Sequence, residues 1–126
     1  EIPKPEMRPF EILTDYITYI KKQEEAISPY SPNNHMAVNF EELADACVYE
    51  LYFSDHMKEK QIDVLQFVTP LLKPIDHLNE ETQKTEINKI INEVYDTYKA
   101  TDSPIRQRML QFTTKSPDII NVIQNG

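Results

Sequence analysis

Glycine is almost missing from this chain: of 126 residues only the last, Gly126, is one. Loops that cradle a phosphate need positive φ or a backbone bare enough for close approach, so a Walker loop and a Rossmann-type glycine turn are both excluded. Type I′ hairpins are disfavoured for the same reason, and no run alternates Val, Ile and Thr to start a sheet. Cysteine is reduced to Cys47, which forms no internal disulfide and suits a reducing compartment. No apolar run approaches the roughly 20 residues of a membrane span, and no secretory leader is visible, so the expected location is cytoplasmic. Positive charge is also short, since 13 Lys and Arg against 21 Asp and Glu leave a net charge of −8. Nucleic-acid affinity comes largely from cations that neutralise phosphates, so the domain as a whole should repel DNA and any contact would be local.

What remains is a composition for helices joined by proline-containing turns, with nine prolines to punctuate them. We expect a single all-α domain over residues 1–126, an irregular helical bundle of two long helices and three or four short ones. A chain of this length buries roughly two-thirds of the surface that it exposes when unfolded. It begins Glu-Ile-Pro-Lys-Pro and stops just after an apolar run, the pattern expected of a C-terminal fragment of a larger protein.

Residues 1–8 read as an extended lead-in, because each of Pro3 and Pro5 pushes its predecessor out of the α region. A first helix is predicted from near Pro9 to about Glu25, with Phe10, Leu13, Ile17 and Ile20 on one stripe and Ile12, Tyr16 and Tyr19 on its neighbour. Residues 28–38, with Pro29, Pro32, Asn33 and Asn34, read as a surface loop. Asn39 and Glu42 then form a capping box, with Val38 placed for a hydrophobic staple. Beyond it Phe40, Leu43, Ala44, Cys47, Val48 and Leu51 form an apolar face, while Glu41, Glu42, Asp45 and Glu50 mark the solvated one. A short helix is expected from Ser54 to Lys60, and a long one from Glu80 to Lys99 with Ile87, Ile90, Ile91, Val94 and Tyr98 inward. Ser103-Pro104 and Ser116-Pro117 each carry a hydroxyl N-cap followed by proline at N1. The first opens a helix with Ile105, Met109, Leu110 and Phe112 inward, the second one with Ile119, Ile120, Val122 and Ile123.

Three constellations could carry chemistry. His35, His56 and His77 are evenly spaced, but only His56 with Glu59 offers the i, i+3 pairing that helical metal sites use, so ordinary surface histidines are the better reading and no metal ligands are assigned. Ser28-Pro29-Tyr30 is similar to part of the Asn/Asp/Ser-Pro-Pro-Tyr motif with which amino-methyltransferases hold a flipped base. It lacks the second proline and any glycine-rich cofactor loop, so it reads as a turn. The segment from Lys99 to Lys115 holds Lys99, Arg106, Arg108 and Lys115 against Asp102 alone, the one place where contact with a DNA backbone is plausible. Helix-end charges that balance the acidic remainder are the better reading.

The stretch Ala46-Cys47-Val48-Tyr49-Glu50-Leu51-Tyr52-Phe53, followed by a charged turn and Ile62-Asp63, resembles a helix of fused type II restriction-modification enzymes. These are the Eco57I-like (type IIG) adenine-specific DNA methyltransferases, where the helix follows a TaqI-like specificity domain. Upstream, Ile2-Pro3-Lys4 and then Arg8-Pro9-Phe10-Glu11-Ile12-Leu13-Thr14-Asp15-Tyr16-Ile17 look like that family's exit from its recognition domain. The match spans Ile2 to Asp63, about half of the chain. It implies that the methyl-transfer site, the S-adenosylmethionine and Mg sites and the nuclease belong to other parts of a parent enzyme. Catalytic and cofactor-binding residues are then expected to be none here. Val48, Tyr49, Glu50, Leu51 and Tyr52 would be a structural signature, and the domain's partners would be the parent's recognition and methyltransferase domains, with DNA reached through the parent. A dimer is compatible with it. The competing expectation is a free-standing helical module that binds a protein through an exposed apolar face.

Overall fold

The computed structural model describes the backbone of residues 4–115 and the side chains of residues 7–111. Among the described residues there are six helices and no strand, so the all-α expectation holds. No helix among them is long and apolar enough to cross a membrane. The helix expected from Ser116-Pro117, with Ile119, Ile120, Val122 and Ile123, lies outside the described residues, as do the side chains of Phe112 and Lys115.

Helix α1 (Lys4–Lys22) begins well before Pro9 and replaces the extended lead-in expected over residues 4–8. Proline is disfavoured within a helix because it lacks an N–H, but Pro5 stands in the first turn, where that N–H would have no partner. Pro9, one turn on and buried, forfeits a single backbone bond. Burial centres on Ile12, Leu13, Tyr16, Tyr19 and Ile20, whereas Phe10 and Ile17 are half-buried. The two tyrosines that formed the neighbouring stripe thus take the middle of the face.

Helix α2 (Asn33–Tyr52) starts six residues before Asn39, so the surface loop covers residues 23–32 instead of 28–38. Two side chains define that loop. The Asn33 amide accepts from Ile27 N (3.0 Å) and donates to the Glu25 carbonyl (2.8 Å). Ser28 Oγ accepts from the backbone N–H groups of Tyr30 (3.1 Å) and Ser31 (3.3 Å), closing a hydroxyl turn that leaves Tyr30 90% exposed. Asn39 is not a cap. Its Nδ2 donates to the His35 carbonyl and to the Tyr95 hydroxyl, both at 2.9 Å, and its own carbonyl accepts from the Tyr98 hydroxyl at 3.3 Å. With those six added residues α2 is a third long helix, beside α1 and α5, where two were expected.

Helix α3 (Ser54–Glu59) ends in a Schellman motif. Ile62 N donates to Met57 O (2.9 Å) and Gln61 N to Lys58 O (3.1 Å), with Gln61 at φ 57° in the left-handed region. Glycine is the usual residue there, and this chain has none to spare. Met57 and Ile62, the hydrophobic pair of the motif, are both fully buried. Helix α4 (Leu65–Leu71) leads into Leu72-Lys73-Pro74, where the Tyr16 hydroxyl donates to the Lys73 carbonyl and accepts from Lys73 N (2.9 Å). Helix α5 (Lys84–Lys99) buries Ile87, Ile91, Val94 and Tyr98 as expected, with Tyr95 buried as well and Ile90 only half-buried, and it begins four residues after Glu80. The Asn79 side chain occupies residues 79–82 with a turn of its own, accepting from Glu81 N and Thr82 N. Helix α6 (Pro104–Lys115) starts where the Ser-Pro signal places it, with Ser103 Oγ accepting from Arg106 N at 3.2 Å.

The core joins α1, α2 and α5. Phe40 lies at its centre, with its ring 5.5 Å from those of Tyr16 and Tyr95 in edge-on contacts and 6.3 Å from that of Tyr98. Each such pair adds about 0.5–1.5 kcal/mol beyond the area buried. The hydroxyls reach polar partners at the edge of the core: Tyr19 donates to Asn88 Oδ1 (2.6 Å), and Tyr95 and Tyr98 meet Asn39.

Candidate functional site

The family-like stretch Val48 to Tyr52 forms the last turns of α2, and its side chains divide between inside and outside. Helical spacing turns residue 50 toward α4, so the solvated position expected for Glu50 is corrected: it is 5% exposed. Its Oε1 accepts from Val64 N (2.6 Å) and Leu65 N (3.0 Å). These are donors that the start of α4 leaves without intrahelical acceptors, and a carboxylate there also meets the positive end of the helix dipole. Glu50 thus caps a helix that begins 15 residues further along the chain. Val48, expected inward, is instead exposed, Ala46 is buried in its place and Leu51 is half-buried. Tyr52 points outward, 70% exposed, next to the exposed Phe53.

Asp63 continues the polar seam. Its Oδ1 accepts from Arg108 Nη1 at 2.7 Å, its Oδ2 from Gln66 Nε2 at 2.7 Å, and its carbonyl from Arg108 Nη1 at 3.0 Å. The Arg108 guanidinium also lies 4.9 Å from the centre of the Phe67 ring. Asp63 is buried and fully partnered, so the pair joins α6 to the start of α4. Beside it open two neighbouring clefts of about 570 and 740 Å³, both bordered by Glu50, Lys58 and Gln66.

The basic residues expected at a DNA backbone are drawn to different places. Arg106 Nη1 donates to the Lys99 carbonyl at 2.7 Å, capping the end of α5. Lys99 Nζ reaches Asn39 Oδ1 (3.4 Å) and lies 5.3 Å from the centre of the Tyr98 ring. Arg108 turns to Asp63. Lys115 lies at the end of α6, its side chain outside the description. The structure therefore brings Lys99 and Arg106 together at the α5–α6 junction and holds Arg108 elsewhere, each with a protein partner.

Among the described residues no group of three or more His, Cys, Asp and Glu is placed to hold a metal ion. Cys47 is fully buried, and burial, with a smaller contribution from Glu50, pushes its thiol up to about 12, where it stays protonated and a poor nucleophile. Burial likewise pushes the Tyr16 phenol up to about 12 and raises that of Tyr98 further. Exposed ionic contacts decorate the periphery: Arg8 with Glu11 and Asp76, Lys21 with Glu41, and Lys22 with Glu80. The guanidinium of Arg8 holds the Asp76 carboxyl below its ordinary value. Pairs this exposed add little to stability.

Comparison with protein-family models, with curated proteins and with solved structures gave no match. Sequence periodicity found the helix but not the job of Glu50, since the two N–H groups that it meets lie beyond the reach of any local pattern. Asp63 was legible only as the end of the family-like stretch.

Proposed function

We propose that this chain is a non-catalytic helical scaffold of an adenine-specific DNA restriction-modification methyltransferase, where it sets how the target-recognition domain faces the catalytic domain. The observation that supports this best is the division within Val48 to Tyr52. Glu50 is buried and consumed in capping α4, so this end of α2 is tied inward, while Val48 and Tyr52 stand outward on a helix that cannot easily turn. Side chains on a rigid helix, held by a second layer of hydrogen bonds, position a neighbouring domain more accurately than a loop does. The net charge of −8 suits a face that meets protein better than one that meets phosphate. S-adenosylmethionine and Mg would belong to the parent's other domains.

The exposed end of α2 also favours a second reading, a free-standing helical module that binds a protein partner. The sequence encoded upstream of Glu1 separates the two. The scaffold reading expects a glycine-rich cofactor loop and an Asn-Pro-Pro-Tyr motif there; without them it fails and the module stands. In the parent, Tyr52→Ala should lower methylation of the cognate duplex while leaving S-adenosylmethionine affinity unchanged.

A further inference from the structure

The outer face of α2 has a pattern that the core does not use. Val38, Glu41, Asp45, Val48 and Tyr52 follow one another at i, i+3, i+7, i+10 and i+14, a single stripe on a helix of 3.6 residues per turn. Its apolar members Val38 and Val48 are 51% and 36% exposed; Val48 joins Tyr52 and the adjoining Phe53 in an apolar patch at the end of the helix, and Val38 stands apart from it beyond Glu41 and Asp45. Single apolar residues on a surface are ordinary; Val48, Tyr52 and Phe53 gathered at one end of the side away from the core, next to a run of acids, mark a contact face.

The charge on this face is mostly negative. α2 contains no Lys or Arg, and Glu41, Glu42 and Asp45 stand on or beside the stripe, with Asp55 just beyond it. Lys21 of α1 bridges Glu41 at 2.8 Å, but among the described residues no cation pairs with Glu42, Asp45 or Asp55. Partial burial and the neighbouring Glu41 raise the Asp45 carboxyl above its ordinary value, as expected of an acid without a counter-ion.

We infer that this face docks a basic amphipathic helix of a partner protein, whose aliphatic residues meet Val48 with Tyr52 at one end and Val38 at the other, and whose Lys or Arg between and beside them meet Glu42, Asp45 and Asp55. The stripe is about 21 Å long at 1.5 Å per residue, enough for roughly four turns of a partner helix. A second copy of this chain is disfavoured on the same grounds, because a two-fold contact would set these carboxylates against themselves. The inference deepens the scaffold reading and rests on it for the role of docking, while the chemistry of the occupant rests on exposure and charge.

The test titrates the intact chain with a synthetic 14-residue helical peptide of Leu and Lys, with Leu at i, i+3 and i+4 spacing, at physiological salt. Saturable binding of one peptide per chain is expected. It should weaken about tenfold in Tyr52→Ala and again in Asp45→Lys, and stay unchanged in Glu81→Lys, a carboxylate on the far side of α1. Equal loss in Glu81→Lys would reduce the effect to general attraction of cations and overturn the inference, as would binding indifferent to Tyr52→Ala. Self-association of the free chain that Tyr52→Ala abolishes would overturn it in favour of a second copy. All three positions are exposed, so unchanged thermal unfolding of the variants confirms that binding is what changes. If the upstream sequence lacks methyltransferase motifs while the titration succeeds, the scaffold reading alone falls. If the reverse holds, the scaffold uses another face.

Discussion

Where α1, α2 and α5 meet, Phe40 is enclosed by the rings of Tyr16, Tyr95 and Tyr98. Where α2 runs out against α3, α4 and α6, the contacts that matter are a carboxylate on two backbone N–H groups, an ion pair and a left-handed glutamine. The first region is held by apolar area, which is non-directional and degrades gradually as atoms are removed. The second adds to its buried Met57, Ile62 and Val68 a set of directional bonds to named atoms, which fix the angle of α4 and α6 to α2 but fail singly. A domain that presents one face to a partner needs both. One gives it a stable body and the other gives that face a defined orientation.

The contrast can be broken from either side. Phe40→Ala removes the shared ring and should destabilise the domain by about 3–5 kcal/mol in denaturant unfolding, with Phe40→Leu retaining most of that. A cost below 1 kcal/mol would mean that the tyrosines close the gap unaided. Alkaline pH attacks the same region. Tyr16, Cys47 and Tyr98 all ionise at higher pH folded than unfolded, so the folded state holds more protons and their contribution is complete below the ordinary values. Stability should then fall as pH rises from about 9 toward 12, and tyrosinate absorbance should rise together with loss of helical circular dichroism. Ionisation of every tyrosine well before unfolding would contradict this.

On the polar side the expected effects are smaller. Glu50→Ala strands Val64 N and Leu65 N and should cost about 2–3 kcal/mol, whereas Tyr52→Ala, two residues along the same motif, should stay within about 0.5 kcal/mol. Equal costs would erase the inside-outside division of that helix. Smallest is a gain: Gln61→Gly relieves the left-handed backbone of the Schellman motif and should stabilise by about 1 kcal/mol. A loss on that substitution would show that the Gln61 side chain contributes more than its backbone strain removes.

These differences also explain how much of the molecule could be read in advance. Apolar periodicity places α1 and α5 and most of their core residues, because the 3.6-residue repeat is a local property of the chain. Ser103-Pro104 likewise announces α6 by itself. Asn39 and Glu42 match a capping box equally well by local rules, yet Asn39 is mid-helix, because its amide has partners in Tyr95 and Lys99 more than 50 residues away. Glu50 looks solvated on a helical wheel until α4 arrives to use it. The left-handed position at Gln61 carries no glycine to reveal it. The roles of Asn39 and Glu50 escape sequence reasoning because their partners are polar and far along the chain, and Leu110, expected inward, escapes it because α6 leaves that side uncovered at 69% exposure. The outward position of Val48 is hidden differently: a pattern that gathers every aliphatic onto one face turns it inward, whereas α2 buries Ala46 there and leaves Val48 outside.

Cys47 turns this architecture into its own stopwatch. It is the single thiol of the chain, without accessible surface, and held protonated at neutral pH. A thiol reagent in excess can therefore modify it only during those intervals when α2 lifts away from α1 and α5. The labelling rate of the unmodified protein then reports how often that seam opens, and its slowing on addition of a partner would measure how firmly the partner clamps the seam shut.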